Sequence, residues 1–400
     1  MAPQYSIKHF FRGMPNALLG RYFHGKGLFA DLDFGAMKQT RHDALLAAWA
    51  ALPDATRDAL DAELGVVHAL CDEGGWRALQ DAARELLGDE ATAAFVTALA
   101  ALEDHAAQAM TAFLDHRNLW LWAERYHHAD RLAYWKKLHN LARVDLTPAE
   151  SEAACGALTS ALCAYFLKEE HRGRNCRVEH YRRGSKDYFF AFPRDHATEA
   201  VEWISDDMTR RPHSPAFELI FVYERARGSL DLYCRSAPKA VRPLQEIFAT
   251  TVLGQESLSA NPKDGRTYNL APLLDADFQF TRSAESGIGD VQIKKLRLSR
   301  RWQKGEHITL QAANTAAVHE MLGKVRAAVK MADYEVTQAE VWAQVWEPGR
   351  QAPKAVTFQV GWPNACSLKH EGVDGALRTM LEASRIEPRA QVAPNEPAPA

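Results

Sequence analysis

TPAESEAACGALTSALCAYFLKEEHRGRNCRVEHYRRGSKDYFFAF, residues 147–192, holds the change of pattern that decides the fold. Its first four residues are a helix start. Thr147 suits the N-cap, Pro148 the first helical position, and Glu150 reaches back to the Thr147 amide. The apolar spacing predicts a helix running to about Glu170, with Leu158, Leu162, Tyr165 and Phe166 on its buried face. His171-Arg172-Gly173 ends it, with a basic side chain beside the last carbonyls and a glycine to turn the chain. After Gly173 the period changes from helical to alternating. Residues 176–182 and 187–192, joined through Gly184-Ser185, read as a hairpin.

Upstream of this switch, residues 1–172 read as helical, because Ala, Leu, Glu, Asp and Arg dominate and β-branched residues are few. Asp89 is placed to cap a helix over residues 90–105. A longer helix is expected over about 106–142, with Phe113, Trp120, Trp122, Tyr126, Tyr134, Trp135 and Leu138 as a packing stripe. Downstream, a hairpin is followed by a helix three times: 217–234 then 242–253, 291–311 then 315–331, and 341–360 then 374–384. A shorter strand is expected at 200–204, and residues 255–290 read as a long connection. Strands joined by short turns are antiparallel, and their helices gather on one face. The expected fold is therefore α+β. A helical domain (1–172) precedes an antiparallel sheet domain of hairpin–helix units (173–386). The tail, 387–400, is Pro/Ala-rich and is expected to be disordered.

The chain has 400 residues, 47% of them hydrophobic and 25% charged, as expected of a globular protein with ample cores. No apolar run approaches the roughly 20 residues needed to span a bilayer, so no membrane partner is expected. The first residues, MAPQYSIKHFF, lack the basic-then-apolar pattern of a secretory signal. Six scattered cysteines without a Cys-x-x-Cys pair fit a reducing cytoplasm, where they act as small hydrophobes. Net charge is −3 but uneven. Residues 1–150 carry 15 Lys+Arg against 20 Asp+Glu, residues 151–305 carry 24 against 20, and residues 306–400 carry 9 against 11. The middle third is basic and Arg-rich, which suits bidentate contacts with phosphate or carboxylate.

Two basic groups lie in that third. The first is HRGRNCRVEHYRRGSK, residues 171–186, with Arg172, Arg174, Arg177, Arg182 and Arg183. Within it, Arg174, Asn175 and His180 resemble the Arg-x(4–6)-His motif of HEPN-type ribonucleases. In that family the Arg and His act on the scissile phosphate, often across a dimer. The resemblance covers seven residues and implies metal-independent RNA cleavage by Arg174 and His180. The family motif lies on a helix, whereas here the alternation puts His180 on a strand, sharing a face with Val178 and Arg182.

The second group is KKLRLSRRWQK, residues 294–304, with Lys294, Lys295, Arg297, Arg300, Arg301 and Trp302. Alternation puts Lys295, Arg297 and Ser299 on one face and Lys294, Leu296 and Leu298 on the other. A cationic strand face beside a tryptophan can track a nucleic-acid backbone and stack a base. A solvated outer sheet face has the same pattern.

Other chemistries lack their signatures. His-Glu-x-x-His, the P-loop and Gly-x-Ser-x-Gly are absent, and the 16 histidines show no ligand spacing, so neither a metal nor a cofactor is expected. The leading expectation is a non-catalytic, cytoplasmic protein that binds nucleic acid, RNA or DNA, or joins a protein complex. It would use one Arg-rich surface of residues 171–304. The alternatives are the ribonuclease and a scaffold that docks a protein partner through the helical domain. Oligomeric state is not legible.

Overall fold

The computed structural model describes residues 5–102, 104–204, 207–235, 238–258, 267–303, 305–347 and 352–387. Its contacts divide the chain into two compact units. One comprises Met1–Arg131 with Glu199–Pro212, the other Leu132–Thr198 with His213–Ala400.

In the first unit, residues up to Arg131 are helical: α1 (Ile7–Gly13), α2 (Asn16–Gly25), α3 (Asp43–Ala50), α4 (Asp54–Ala69), α5 (Glu73–Leu86), α6 (Asp89–Ala100), α7 (His105–Asp115) and α8 (Arg117–Arg131). Side chains cap α1, α5 and α7: Ser6, Asp72 and Asp104 accept backbone N–H groups of the first turn. The cap of α6 is Gly88, not Asp89, which instead opens the helix where its charge meets the positive dipole end. Phe11, Phe23 and Trp49 meet edge to face, with ring centroids 5.7–6.3 Å apart, and centre the core of the first helices.

Among the described residues the second unit is built on strands of two to thirteen residues with four α-helices. In chain order these are β1 (Trp135–Leu138), α9 (Pro148–Glu170), β2 (Val178–Arg183) and β3 (Lys186–Ala191). The next two strands, β4 (Thr198–Ile204) and β5 (Asp207–His213), form a separate two-stranded sheet whose Glu199–Pro212 segment belongs to the first unit. Then come β6 (Leu219–Glu224), β7 (Ser229–Cys234), α10 (Val241–Thr251), β8 (Ile288–Arg300) and β9 (His307–Gln311). The last elements are α11 (Thr315–Ala328), β10 (Tyr334–Val345), β11 (Lys354–Gly361), β12 (Ala365–Cys366) and α12 (Val373–Ala383). Ten of these strands form one sheet in the order β2-β3-β6-β7-β1-β12-β11-β10-β8-β9, and its neighbours pair antiparallel. The fold is α+β, with the helical region first and the antiparallel sheet later.

Each half of the sheet carries its helices on one face. Phe189, Phe221, Tyr223 and Leu232 pack with Leu158, Leu162 and Phe166 of α9 and Phe248 of α10. Ile293, Leu296, Val341 and Phe358 pack with Val318 and Leu322 of α11 and Leu377 and Leu381 of α12. Each fully buried side chain of this kind contributes roughly 1.5–3 kcal/mol. The register relates the two faces. Leu138 lies opposite Leu230 on the α9 side, so Lys137 and its partner Asp231, one residue along, point to the other side. Trp135 and Cys366 share that second side with Val360 and the α12 core.

The helix start at Thr147 is a capping box with both hydrogen bonds formed. At the other end His171 (φ 53°) and Gly173 (φ 76°) are left-handed. A side chain on Gly173 would stand 2.6 Å from the Phe166 Cβ, so glycine is required there by both backbone and space. The expected helix over 106–142 is the main correction. It breaks at His116, the cap between α7 and α8, and α8 ends at Arg131. Tyr134 turns left-handed at φ 65°, and Trp135–Leu138 becomes a central strand. Pairing with β7 and β12, both remote in sequence, overrides the local helical composition. Residues 207–213 and 365–366 are strands where none was expected. In the 255–290 connection Tyr268, Leu270 and Leu273 are core residues, and 259–266 lie outside the described residues. Glu387, the first residue of the expected loose tail, is 1% exposed, and 388–400 lie outside the described residues. Among the described residues no helix is long and apolar enough to cross a membrane.

Candidate nucleic-acid interface and a buried charge cluster

The two basic groups do not form one surface. β2 is an edge strand and β8 is ninth in the order, so they stand eight strand spacings apart, roughly 38 Å along the sheet at about 4.8 Å each. A single patch joining Arg172, Arg174, Arg182 and Arg183 to Lys295 and Arg297 is thereby excluded.

Around β2 several of the arginines are tied down within the protein. Arg172, just past the His171 cap of α9, has its guanidinium 2.9 Å from Asp195 and stacked 3.9 Å over the Phe217 ring. Arg182 bonds Asp145 (2.9 Å), the Leu146 carbonyl (2.7 Å) and Asp187 (3.2 Å). Arg183 is buried. Arg177 is exposed and pairs with Glu179 at 3.0 Å. Arg174 is exposed in the turn before β2. His180 lies on β2 as expected, half-buried, its Nε2 2.9 Å from Oδ1 of the fully buried Asp187 and its ring 4.7 Å from Phe189. Arg174 and His180 share no hydrogen bond among the described residues.

The β8 end is different. Lys295 and Arg297 stand on the side of β8 opposite to Leu296 and Leu298, which are buried. A β-bulge between Glu340 and Val341 brings Lys294 onto the same outer side, where its ammonium lies 5.1 Å over the Trp342 ring. This corrects the alternation, which grouped Lys294 with Leu296. Arg297 also contacts His307 Nδ1 at 3.2 Å. Arg300 pairs with Glu306 at 3.0 Å. In the turn after β8, Arg301 is exposed and Trp302 is 84% exposed. Lys304 lies outside the described residues.

Composition and motif did not reveal a third group. On the side of β1 and β7 that faces α12, Lys137, Asp231, His370, Arg378 and Glu387 are all buried. Lys137 Nζ lies 2.7 Å from Glu387 and 3.7 Å from Asp231. His370 Nδ1 is 3.7 Å and Arg378 Nη1 4.0 Å from the same Asp231 oxygen. Arg378 is fixed by bonds from Nε to the Lys369 carbonyl (2.9 Å) and from Nη2 to the Leu368 carbonyl (2.7 Å). Trp135 packs edge-on against His370 at 4.5 Å.

Burial opposes the charge on Lys137, but Asp231 and Glu387 outweigh it and raise its pKa. Burial likewise opposes ionisation of Glu387, and the Lys137 charge overcomes it, holding the carboxyl below the usual range. For His370, burial and then the Arg378, Lys186, Lys137 and Arg183 charges push the pKa well below that of a free histidine. A cavity of about 160 Å³ adjoins this group, with Asp231, His370 and Arg378 among its lining and Thr379 and Arg227 at its more exposed side. One signal was available in the sequence: Asp231 interrupts an otherwise apolar strand, SLDLYC, where a charge persists only if partnered.

Among the described residues no group of three or more His, Cys, Asp or Glu side chains is arranged to hold a metal ion. No protein-family model matches this chain, and no curated protein is similar enough to count as a relative.

Proposed function

We propose that the protein binds single-stranded nucleic acid through the outer side of β8 and the turn that follows it. The observation that carries this reading is the grouping of Lys294, Lys295 and Arg297, each half-buried, on one strand face, with Trp302 84% exposed in the adjoining turn. Cations on a strand face follow a phosphate backbone, and an exposed indole offers a stacking platform for any base. The arginines around β2 support the reading less, since Arg172, Arg177 and Arg182 are neutralised by carboxylates of the same chain. The test is electrophoretic mobility shift with a labelled single-stranded oligonucleotide at rising salt. Binding that weakens linearly in log K against log[salt], and that Lys295→Ala with Arg297→Ala abolishes, supports it. Undiminished binding by that double variant removes it.

A second reading, metal-independent RNA cleavage by Arg174 and His180, is favoured by one observation. A buried carboxylate, Asp187, orients the His180 ring, as a general base requires. RNA cleavage in EDTA that is lost in His180→Ala at unchanged melting temperature would establish it.

A further inference from the structure

On the outer side of the sheet the register lines up side chains across β8, β10 and β11. Arg297 stands opposite Gln338. Lys295 stands opposite Glu340, which on its other flank stands opposite Gln359. All five are half-buried, and the core packed by α11 and α12 lies on the other side of these strands. The Glu340 carboxylate is held in place. Gln338 Nε2 donates to Gln359 Oε1 at 2.8 Å, and Gln359 Nε2 donates to Glu340 Oε2 at 3.0 Å. The Gln359 backbone N–H bonds Ser367 Oγ at 2.8 Å. Residues directly opposite on antiparallel strands have Cβ atoms about 5 Å apart, near enough for an ion pair. Among the described residues Lys295 and Glu340 form none, and Glu340 Oε1 makes no hydrogen bond.

Phosphate binding does not explain a carboxylate here. The outer side carries Lys294, Lys295 and Arg297, but also Asp290, bonded to Gln292 at 2.9 Å, Glu335 opposite Ser299, and Glu340 beside Lys295 itself. On a face that only followed a backbone, Glu340 would repel it. A fixed carboxylate with a free oxygen calls for donors instead. It is acceptor-only and takes two N–H groups side by side. Bases of single strands are read on their Watson–Crick edges. Guanine presents two adjacent donors there, N1–H and N2–H. Thymine and uracil present one N–H between two carbonyl oxygens, and adenine and cytosine an amino group beside a ring nitrogen that carries a lone pair. Each of those sets an acceptor against the second carboxylate oxygen. We propose that Glu340 reads a guanine base of the bound single strand, accepting from N1–H and N2–H, while Lys295 and Arg297 hold the flanking phosphates. This assignment presupposes single-strand binding at β8.

Fluorescence anisotropy of the full chain at fixed salt tests it. A labelled oligo-dT is compared with the same oligomer carrying one central guanine, inosine, adenine or cytosine. The guanine oligomer should bind about tenfold tighter than the adenine, cytosine and unsubstituted ones, as one bidentate pair to a base provides. Inosine, which lacks the N2 amine, should fall between. Glu340→Gln keeps the size of the side chain and removes its charge. It should abolish the guanine preference, while oligo-dT binds it at least as tightly as wild type. Free guanosine monophosphate should compete at least about tenfold less well than the unlabelled guanine oligomer, because it brings only one phosphate to the cations. Equal binding of all the oligomers by wild type overturns the proposal and leaves single-strand binding standing, whereas binding of none overturns both. A guanine preference that survives in Glu340→Gln, or equal competition by the monophosphate, also overturns it.

Discussion

At the β2–β3 end of the sheet Arg183 and Asp187, and along β1 and β7 Lys137 and Asp231, are enclosed within the protein. At the β8 end Lys294, Lys295 and Arg297 are only half-buried, and Arg301 in the following turn is exposed. Asp187 and Glu387 are at most 1% exposed and each has a cation at hydrogen-bond distance, whereas Trp302 beside the β8 cations is 84% exposed. Similar residue types therefore serve opposite ends. An enclosed charge is a structural commitment whose loss leaves its partner stranded, while a displayed one costs the fold little. The two regions separate clearly under mutation.

The largest expected effect is at Lys137. Lys137→Ala leaves Asp231 and Glu387, both buried, without the cation between them, and removing one member of a buried ion pair costs about 3–5 kcal/mol. Urea denaturation should show the transition of the sheet unit moved to lower denaturant. An unchanged midpoint would mean that these charges are hydrated in solution and that the contrast with β8 is false.

Next is acidity. His370 is held neutral in the folded protein by burial and by the Arg378, Lys186 and Lys137 charges, so its folded pKa lies well below the free value. Below about pH 6.5 the unfolded chain takes up a proton that the folded chain refuses, and stability falls as the pH drops. The slope from this one group is about 1.4 kcal/mol per pH unit, until the folded pKa is reached. His370→Asn should flatten the fall in stability between pH 6.5 and 5. His42 and His68 of the helical unit are lowered as well, mainly by burial, so the difference between wild type and variant is the quantity to read. Identical slopes in the two proteins would place His370 in contact with water.

Much of the architecture was legible because local chemistry decides it. The Thr147–Glu150 box, the Gly173 turn and the alternation in β3 and β6 each act within a few residues. β1 was not legible. Trp135-Lys136-Lys137-Leu138 sits in helix-favouring sequence and becomes a strand only through β7 and β12. The buried cluster was hidden for a related reason. Residues 137, 231, 370, 378 and 387 span 250 positions and share no spacing. The displayed cations of β8 were legible as a face because alternation carries that information, except at Lys294, which the bulge turns over. What the alternation could not convey is that β2 and β8 lie at opposite ends of one sheet, so two basic stretches read as one surface.

A smaller effect is expected at Trp302. This indole is 84% exposed, so Trp302→Ala should change stability only within the range of ordinary surface substitutions, about 0.5 kcal/mol. If a base stacks on it, the variant should lose about 1–3 kcal/mol of single-strand affinity at fixed salt, with the salt slope retained, because no phosphate contact is removed. Fluorescence quenching of the indole on titration with a short oligonucleotide gives an independent reading. Full affinity in the variant would restrict the interface to phosphate contacts alone.

The finest discrimination comes from the salt slope itself. Each phosphate contact contributes about −0.7 to the slope of log K against log[salt] on a single strand. Lys295→Ala and Arg297→Ala should therefore each reduce the slope by about that amount, and together by about 1.4, without a change in stability. Arg182→Ala is the matched control from the other end. Its guanidinium is held by Asp145, Asp187 and the Leu146 carbonyl, so it should leave the slope unaltered while lowering the melting temperature. If Arg182→Ala changes the slope and Lys295→Ala does not, the nucleic acid follows the β2 edge, and the displayed cations of β8 are only a solvated face.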